Sequence, residues 1–161
     1  MALDRIIDDI DAQIMGLLQE NARTTQTDIA KAVGLAPSAV LERMRKLEAR
    51  GAIRAYVAAI DPHLVNRALL AFVAVKTNEY GPEQPSALAL AQIPEVLEIH
   101  HVAGEDCFLL KVRAKDAEHL GHMLRKQIAS VPGVTSTRTT IVLETVKETS
   151  RVPIPRDELR S

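Results

Sequence analysis

The stretch Thr27–Gly51, TDIAKAVGLAPSAVLERMRKLEARG, reads as two short helices joined by a glycine turn. In the first, Ile29 and Val33 stand at i and i+4, and Thr25 with Asp28 forms a T-x-x-D variant of the capping box. Ala30, between them, is small enough to let a neighbouring helix come close. Gly34 falls where a helix ends in a left-handed residue. Pro37 suits the first turn of a new helix, because its φ is already set and its missing N–H has no partner to lose there. In the second helix Val40, Met44 and Leu47 share one stripe at i, i+4 and i+7, with Leu41 at its edge, so that side is committed to packing. Ser38, Glu42, Arg45, Lys46 and Ala49 point away from the stripe, and Arg43 and Arg50 flank it. Between residues 36 and 54 five cations (Arg43, Arg45, Lys46, Arg50, Arg54) face two anions (Glu42, Glu48), a net +3. Two helices around a tight turn, the second basic on its outer side, are the pattern of a helix-turn-helix that lays its second helix in the major groove of DNA.

Overall charge gives this expectation no support: the 161 residues carry a formal −1. The case rests on where charge is placed. From Asp4 to Glu20 five acids (Asp4, Asp8, Asp9, Asp11, Glu20) meet one base, Arg5, so the opening helix is expected to face away from phosphate. With 47% hydrophobic residues the chain can bury real cores. Its single cysteine, Cys107, excludes an intramolecular disulfide, and its start shows neither a basic flank with a long apolar core nor a cleavage signal. The longest apolar stretch, Ala68 to Val75, is eight residues, where a membrane helix needs roughly 20. A cytoplasmic chain without a membrane partner is expected.

Outward from the central motif, Ile10, Ile14, Leu17 and Leu18 place a helix over about 10–22, the first of three, with aspartates suited to its positive end. Ile53–Ile60 (IRAYVAAI) is an extended segment closed by Asp61-Pro62, which marks a boundary. Three regions are therefore expected. Residues 1–61 form a helix-turn-helix domain of winged-helix-like type, with a linking strand over about 52–60. Residues 62–150 form a second domain, and 151–161 a C-terminal tail. The second domain reads strand (about 69–77), helix (83–93), strand (96–102), a Gly104 turn, strand (107–113), helix (116–130) and strand (134–146). That βαββαβ order is a ferredoxin-like unit, and the chain as a whole is α+β. Its first strand is apolar on both sides, with Leu70, Phe72 and Ala74 on one and Ala71, Val73 and Val75 on the other. Two helices cover only one face, so a second copy is expected over the other, and a two-fold dimer would set two recognition helices at a fixed spacing.

Four pieces, IDAQIMGLLQENAR (10–23), DIAKAVGLAPSAVLERMRKLEARGAIRAY (28–56), HVAGEDCFLLKV (101–112) and VPGVTSTRTTIVLETVK (131–147), strongly resemble the Lrp/AsnC family of feast/famine transcriptional regulators, in family order and nearly end to end. The resemblance implies a DNA-binding N-terminal domain, a C-terminal effector and assembly domain, homodimers that build tetramers or octamers, and an amino acid as effector. Two departures stand out. The family usually has serine where this chain has Ala36, so a side-chain cap is lost there. In many relatives the hairpin reads Gly-x-x-Asp, whereas here Gly104 is followed by Glu105, Asp106 and Cys107, and a shift of one residue in a strand swaps faces.

For DNA, Ser38, Ala39, Glu42, Arg43 and Lys46 are expected nearest the base edges, with Arg45, Arg50 and Arg54 toward phosphates. For an amino-acid effector, Gly104 offers backbone N–H groups, and Glu105 and Asp106 offer carboxylates to an ammonium. Thr139 and Val142 match family positions linked to effector response and are expected near this hairpin across a subunit interface. The i, i+3 pair His119 and His122 lacks the carboxylates or cysteines that would complete a metal site. His101 shares a side with Leu97 and Ile99 and is expected as a hydrogen-bonded core residue, and Cys107 as a small apolar one. No catalytic residue, metal or cofactor is expected. Two alternatives carry different signatures: a haem-pathway decarboxylase-like enzyme, in which the helix-turn-helix degenerates, and an architectural DNA-binding protein without an effector. The arginines kept on the second helix argue against the enzyme.

Overall fold

The computed structural model of the chain describes residues 7–79, 83–104 and 107–154. They form two compact units, Met1–Ala59 together with Glu148–Ser161, and Ile60–Lys147.

The first unit contains α1 (Asp9–Glu20), α2 (Gln26–Val33) and α3 (Pro37–Ala49). Ile14, Leu18, Ile29, Ala30, Val40 and Leu47 make its core, with Ile10, Leu17, Val33, Met44 and Ile53 packed around them. Each turn follows from local chemistry. Asp8 caps α1, Thr25 accepts from the Asp28 N–H at the head of α2, and Gly34 ends α2 at φ 71°. Ala36 gives α3 no side-chain cap; Pro37 occupies its first turn, and the Ala36 carbonyl accepts from Ala39 and Val40. Gly51, at φ 73°, turns the chain so that the Ala52 and Ile53 N–H groups both reach the Leu47 carbonyl. The linking strand expected after it does not form: residues 54–60 are exposed and pair with no strand among the described residues. A stretch of this composition becomes a strand only beside another. Glu148 and the residues after it return to this unit, where the Gln19 amide donates to the Val152 carbonyl at 2.9 Å and accepts from its N–H at 2.7 Å.

The second unit runs β1 (Leu69–Thr77), α4 (Pro85–Leu90), β2 (Val96–His101), β3 (Phe108–Ala114), α5 (Ala117–Met123) and β4 (Val134–Ile141), and α5 continues as a π-helical turn over Leu124–Ile128. The sheet order is β2-β3-β1-β4, antiparallel at every junction. This is the expected βαββαβ unit. Ala71, Val73 and Val75 of β1 and Phe108, Leu110 and Val112 of β3 are buried with Leu90, Leu120, Met123 and Ile128 from the helical segments.

On the other face of β1, Leu70 and Ala74 are buried and Phe72 is half-buried. Their partners in register there are polar (Arg113, Lys111, Arg138 and Thr140) except for Leu109 opposite Ala74. The open face is thus mixed, with an apolar middle.

Two expectations about β2 and β4 need correction. β2 bulges between Val96 and Glu98, which leaves Leu97 out of register and 52% exposed while Val96 and Ile99 face the core. His101 keeps the side of Ile99, opposite Phe108, but as the last residue of the strand it is exposed, its ring tilted against that of Phe108 at 5.4 Å between centroids, and it is not a core residue. β4 stops at Ile141, short of the expected 146. After the Val142 N–H reaches the Leu70 carbonyl, β1 has no further residue to pair with.

The turn into β4 is tightly specified. Glu79 accepts from the Ser86 hydroxyl at 2.6 Å and from its N–H at 3.2 Å, which pins the carboxylate over Gly133. Gly133 has φ 91°, and a Cβ there would lie 2.7 Å from Glu79 Oε1. Gly133→Ala is expected to destabilise the protein by about 1–3 kcal/mol, read as a lower urea midpoint with unchanged slope; an unchanged midpoint would contradict this account.

Candidate nucleic-acid interface

Burial of Val40 and Leu47 turns the opposite side of α3 outward. Ser38, Glu42, Arg45, Lys46 and Arg50 are exposed, Ala39 is half-buried, and Arg54 is exposed beyond the helix end. Lys46 Nζ lies 2.7 Å from Glu42 Oε1, one turn away, and this hydrogen bond holds the Glu42 carboxyl below its ordinary pKa. Among the described residues Arg45 and Arg54 have no carboxylate partner.

Arg43 behaves differently from the rest of the outer face. Its Nη1 lies 2.7 Å from Asp8 Oδ2 and 2.8 Å from Asp11 Oδ1. The first-turn acids of α1, expected to face elsewhere, therefore meet the recognition helix. Together they line a cleft of about 450 Å³ whose walls include Asp8, Asp11, Ala39, Glu42, Arg43 and Lys46. Asp8 and Asp11 are also a reciprocal capping box: Asp8 Oδ1 accepts from the Asp11 N–H at 2.8 Å, and the Asp8 N–H reaches Asp11 Oδ2 at 3.4 Å. The sequence carried this signal as D-x-x-D ahead of the first apolar stripe, but the pairing with Arg43 needs the packed fold. At the far end of α3, the Tyr56 hydroxyl donates to Glu48 at 2.8 Å; burial, then that bond, push its pKa up to about 12.

The residues expected around an effector are dispersed in one chain. Gly104 is exposed, with φ 136°, in the hairpin closed by the Val102 N–H to Cys107 carbonyl bond at 3.0 Å. Glu105 and Asp106 lie outside the described residues. Thr139 stands on β4 opposite Val73, and Val142 beside Leu70. β1 separates β3 from β4, so the hairpin and Thr139 are on strands roughly 10 Å apart within the sheet. Cys107 is half-buried, its Sγ 3.5 Å from the Thr77 N–H. His119 sits 3.6 Å from Glu95, and no cluster of three metal-binding side chains occurs among the described residues.

Residues 7–48 match the AsnC-type helix-turn-helix domain and residues 70–152 the Lrp/AsnC ligand binding domain. The chain belongs to the Lrp/AsnC family. It is 39% identical over 148 residues to the HTH-type transcriptional regulator FL11 of Pyrococcus horikoshii, covering 92% of this chain and 97% of that protein. It is 36% identical over 150 residues to the leucine-responsive regulatory protein of Escherichia coli K12, covering 92% of each. Among solved structures, a transcriptional regulator of Neisseria meningitidis in complex with L-Met superposes with TM-score 0.83 at 31% identity, over 91% of this chain and 96% of that one. The feast or famine regulatory protein of M. tuberculosis complexed with L-methionine gives 0.85 at 36% identity, over 92% and 99%. This Lrp/AsnC chain is accordingly a DNA-binding transcriptional regulator, and the relatives just named are transcriptional regulators or regulatory proteins. No helix among the described residues is long and apolar enough to cross a membrane.

Asp8 gives this Lrp/AsnC domain a pH signature. Burial raises the Asp8 carboxyl, but the Asp11 N–H and the Arg43 guanidinium outweigh it and hold the pKa below 3.8. The unfolded chain therefore binds more protons in that range. The contribution is complete above about pH 4 and is lost as pH falls through the folded value. Asp8→Asn keeps an equally good cap but removes the charge. Between about pH 5 and pH 3 the wild type is expected to lose melting temperature more steeply than this variant. Parallel losses would refute the assignment.

Proposed function

We propose that the outer side of α3 enters the major groove, with Ser38, Ala39, Glu42 and Lys46 toward base edges and Arg45, Arg50 and Arg54 on phosphates. The observation that carries this is the orientation of α3: its apolar stripe is buried and its polar side is open. Glu42 and Lys46 set an acceptor beside a donor one turn apart, the chemistry that meets cytosine N4 and guanine O6/N7. A homodimer joined through the second unit, extended to a tetramer or octamer, supplies two such helices at fixed spacing. The apolar middle strip around Leu70, Phe72 and Ala74 supports pairing through the open sheet face. An amino acid is the proposed effector, as in the L-methionine complexes of the relatives. Its ammonium would meet Glu105 and Asp106 beside Gly104, with Thr139 and Val142 supplied by another subunit. Regulation then works by binding in the cytoplasm, without cofactor or catalysis, and purified protein given haem is expected to show no stoichiometric Soret band.

Two measurements test the main reading. Arg45→Ala and Arg54→Ala are each expected to lower the slope of log K against log salt by about 0.9 for each phosphate that is no longer neutralised, in anisotropy titrations on a duplex selected by the wild type. Slopes equal to wild type would remove these residues from the interface. Calorimetric titration with the twenty amino acids is expected to give saturable heat with at least one, abolished by Asp106→Ala. Twenty flat titrations would sink the effector proposal.

A further inference from the structure

The cations of α3 divide into those that face out and one, Arg43, that turns back on its own domain. Its side chain is 31% exposed and that of its partner Asp11 only 11%. Each carboxylate of the pair is split between two tasks. Asp8 gives Oδ1 to the Asp11 N–H and Oδ2 to Arg43, while Asp11 gives Oδ2 to the Asp8 N–H and Oδ1 to Arg43. The capping box therefore fixes the direction of both acceptors before the guanidinium arrives, so ordering them costs little further entropy.

Where this bond falls on α3 gives it a consequence. At 100° per residue, Arg43 lies between the buried stripe of Val40, Met44 and Leu47 and the outward group of Ser38, Glu42 and Lys46. The stripe holds α3 down but its contacts are non-directional, so it tolerates some roll of the helix about its own axis. A guanidinium shared by two carboxylates tolerates little, since charge-assisted bonds fall off steeply with angle.

We infer that Arg43 is a positioning residue, clamped by the Asp8–Asp11 capping box of α1 so that the roll of α3 presents Ser38, Glu42 and Lys46 to the bases. The inference rests on the major-groove reading above and assigns Arg43 a role other than base contact. It makes an expectation opposite to simple electrostatics. Two carboxylates beside a phosphate-binding helix repel DNA, so removing one should tighten binding if they did nothing else. If they set the helix, removing one weakens it.

The test uses the full-length chain on a duplex enriched by the wild type from a random pool, with a shuffled duplex as the non-specific reference. Asp11→Asn is expected to lose roughly tenfold affinity for the selected duplex, little for the shuffled one, and to keep the salt slope. Arg43→Gln should show the same loss alone and add nothing in the Asp11→Asn background, because both break one clamp. A merely structural role would lower the melting temperature while leaving the ratio of specific to non-specific affinity in place. Should Asp11→Asn fail to fold, Asp8→Asn, which retains the cap, is expected to show a smaller loss in the same sense. Unchanged or tighter binding by the folded aspartate variants overturns the clamp, as does an Arg43→Gln loss that adds to Asp11→Asn and lowers the salt slope. A wild type that enriches no duplex overturns the DNA reading itself, and the clamp with it.

Discussion

Burial of Val40 and Leu47 against α1 and α2 is the constraint on which the rest of the first unit depends. Two apolar residues seven apart on a helix fix which side of it is dry, and every outward group follows by angle. Ile14 and Ile29, both fully buried, supply the surface they meet, and Ala30 keeps α2 close. Gly34 allows the turn, and its left-handed φ would be strained in any residue with a Cβ. At roughly 1.5–3 kcal/mol for each large apolar side chain buried, this small core outweighs the missing cap at Ala36, worth about 1 kcal/mol. The domain can therefore lack a serine there without losing the helix.

In the second unit the equivalent constraint is the position of β1 between β3 and β4. A strand flanked on both sides has its backbone fully paired, and both of its faces stand between neighbouring side chains. Ala71, Val73 and Val75 serve the helix side, and the opposite face carries Leu70 and Ala74 among Arg113, Arg138 and Leu109. On that face Glu98 lies 3.2 Å from His100 and 3.1 Å from Lys111; their hydrogen bonds hold its carboxyl below the ordinary value. A partner sheet docking there would meet an apolar centre with this ion cluster at one side. Such an arrangement favours one register over sliding alternatives, because an unpaired buried charge is expensive and a misplaced leucine is not.

Periodicity made the three helices, the βαββαβ order and the turn at Gly34 legible in the sequence, because those features depend on residues close together in the chain. The failures share a cause. The end of β4 depends on where β1 begins, some 70 residues earlier in the chain. The bulge at Leu97 depends on pairing with Val112 and Lys111, and the exposure of His101 on its being the last residue of β2. Residues 54–60 have strand composition but no strand to pair with among the described residues. At the site, the exposed set on α3 was readable from angle alone. The engagement of Arg43 was not, since Asp8 lies 35 residues away and only the packing of α1 on α3 brings them together.

That engagement changes what the net +3 of residues 36–54 means for DNA. Arg43 is neutralised by the α1 acids, and Lys46 shares its charge with Glu42. Long-range attraction from this surface is therefore weaker than a count of arginines suggests, and counterion release supplies correspondingly less sequence-independent affinity. A regulator must distinguish a few sites from a genome of competitors, so weak non-specific binding raises the ratio that matters. On the major-groove reading proposed above, discrimination would then fall to the fit of Ser38, Glu42 and Lys46 against base edges, which would depend steeply on how α3 is held. A recognition helix that commits one of its arginines to its own orientation, as the proposed clamp has it, would give up attraction to every sequence and keep its hold on the few that fit.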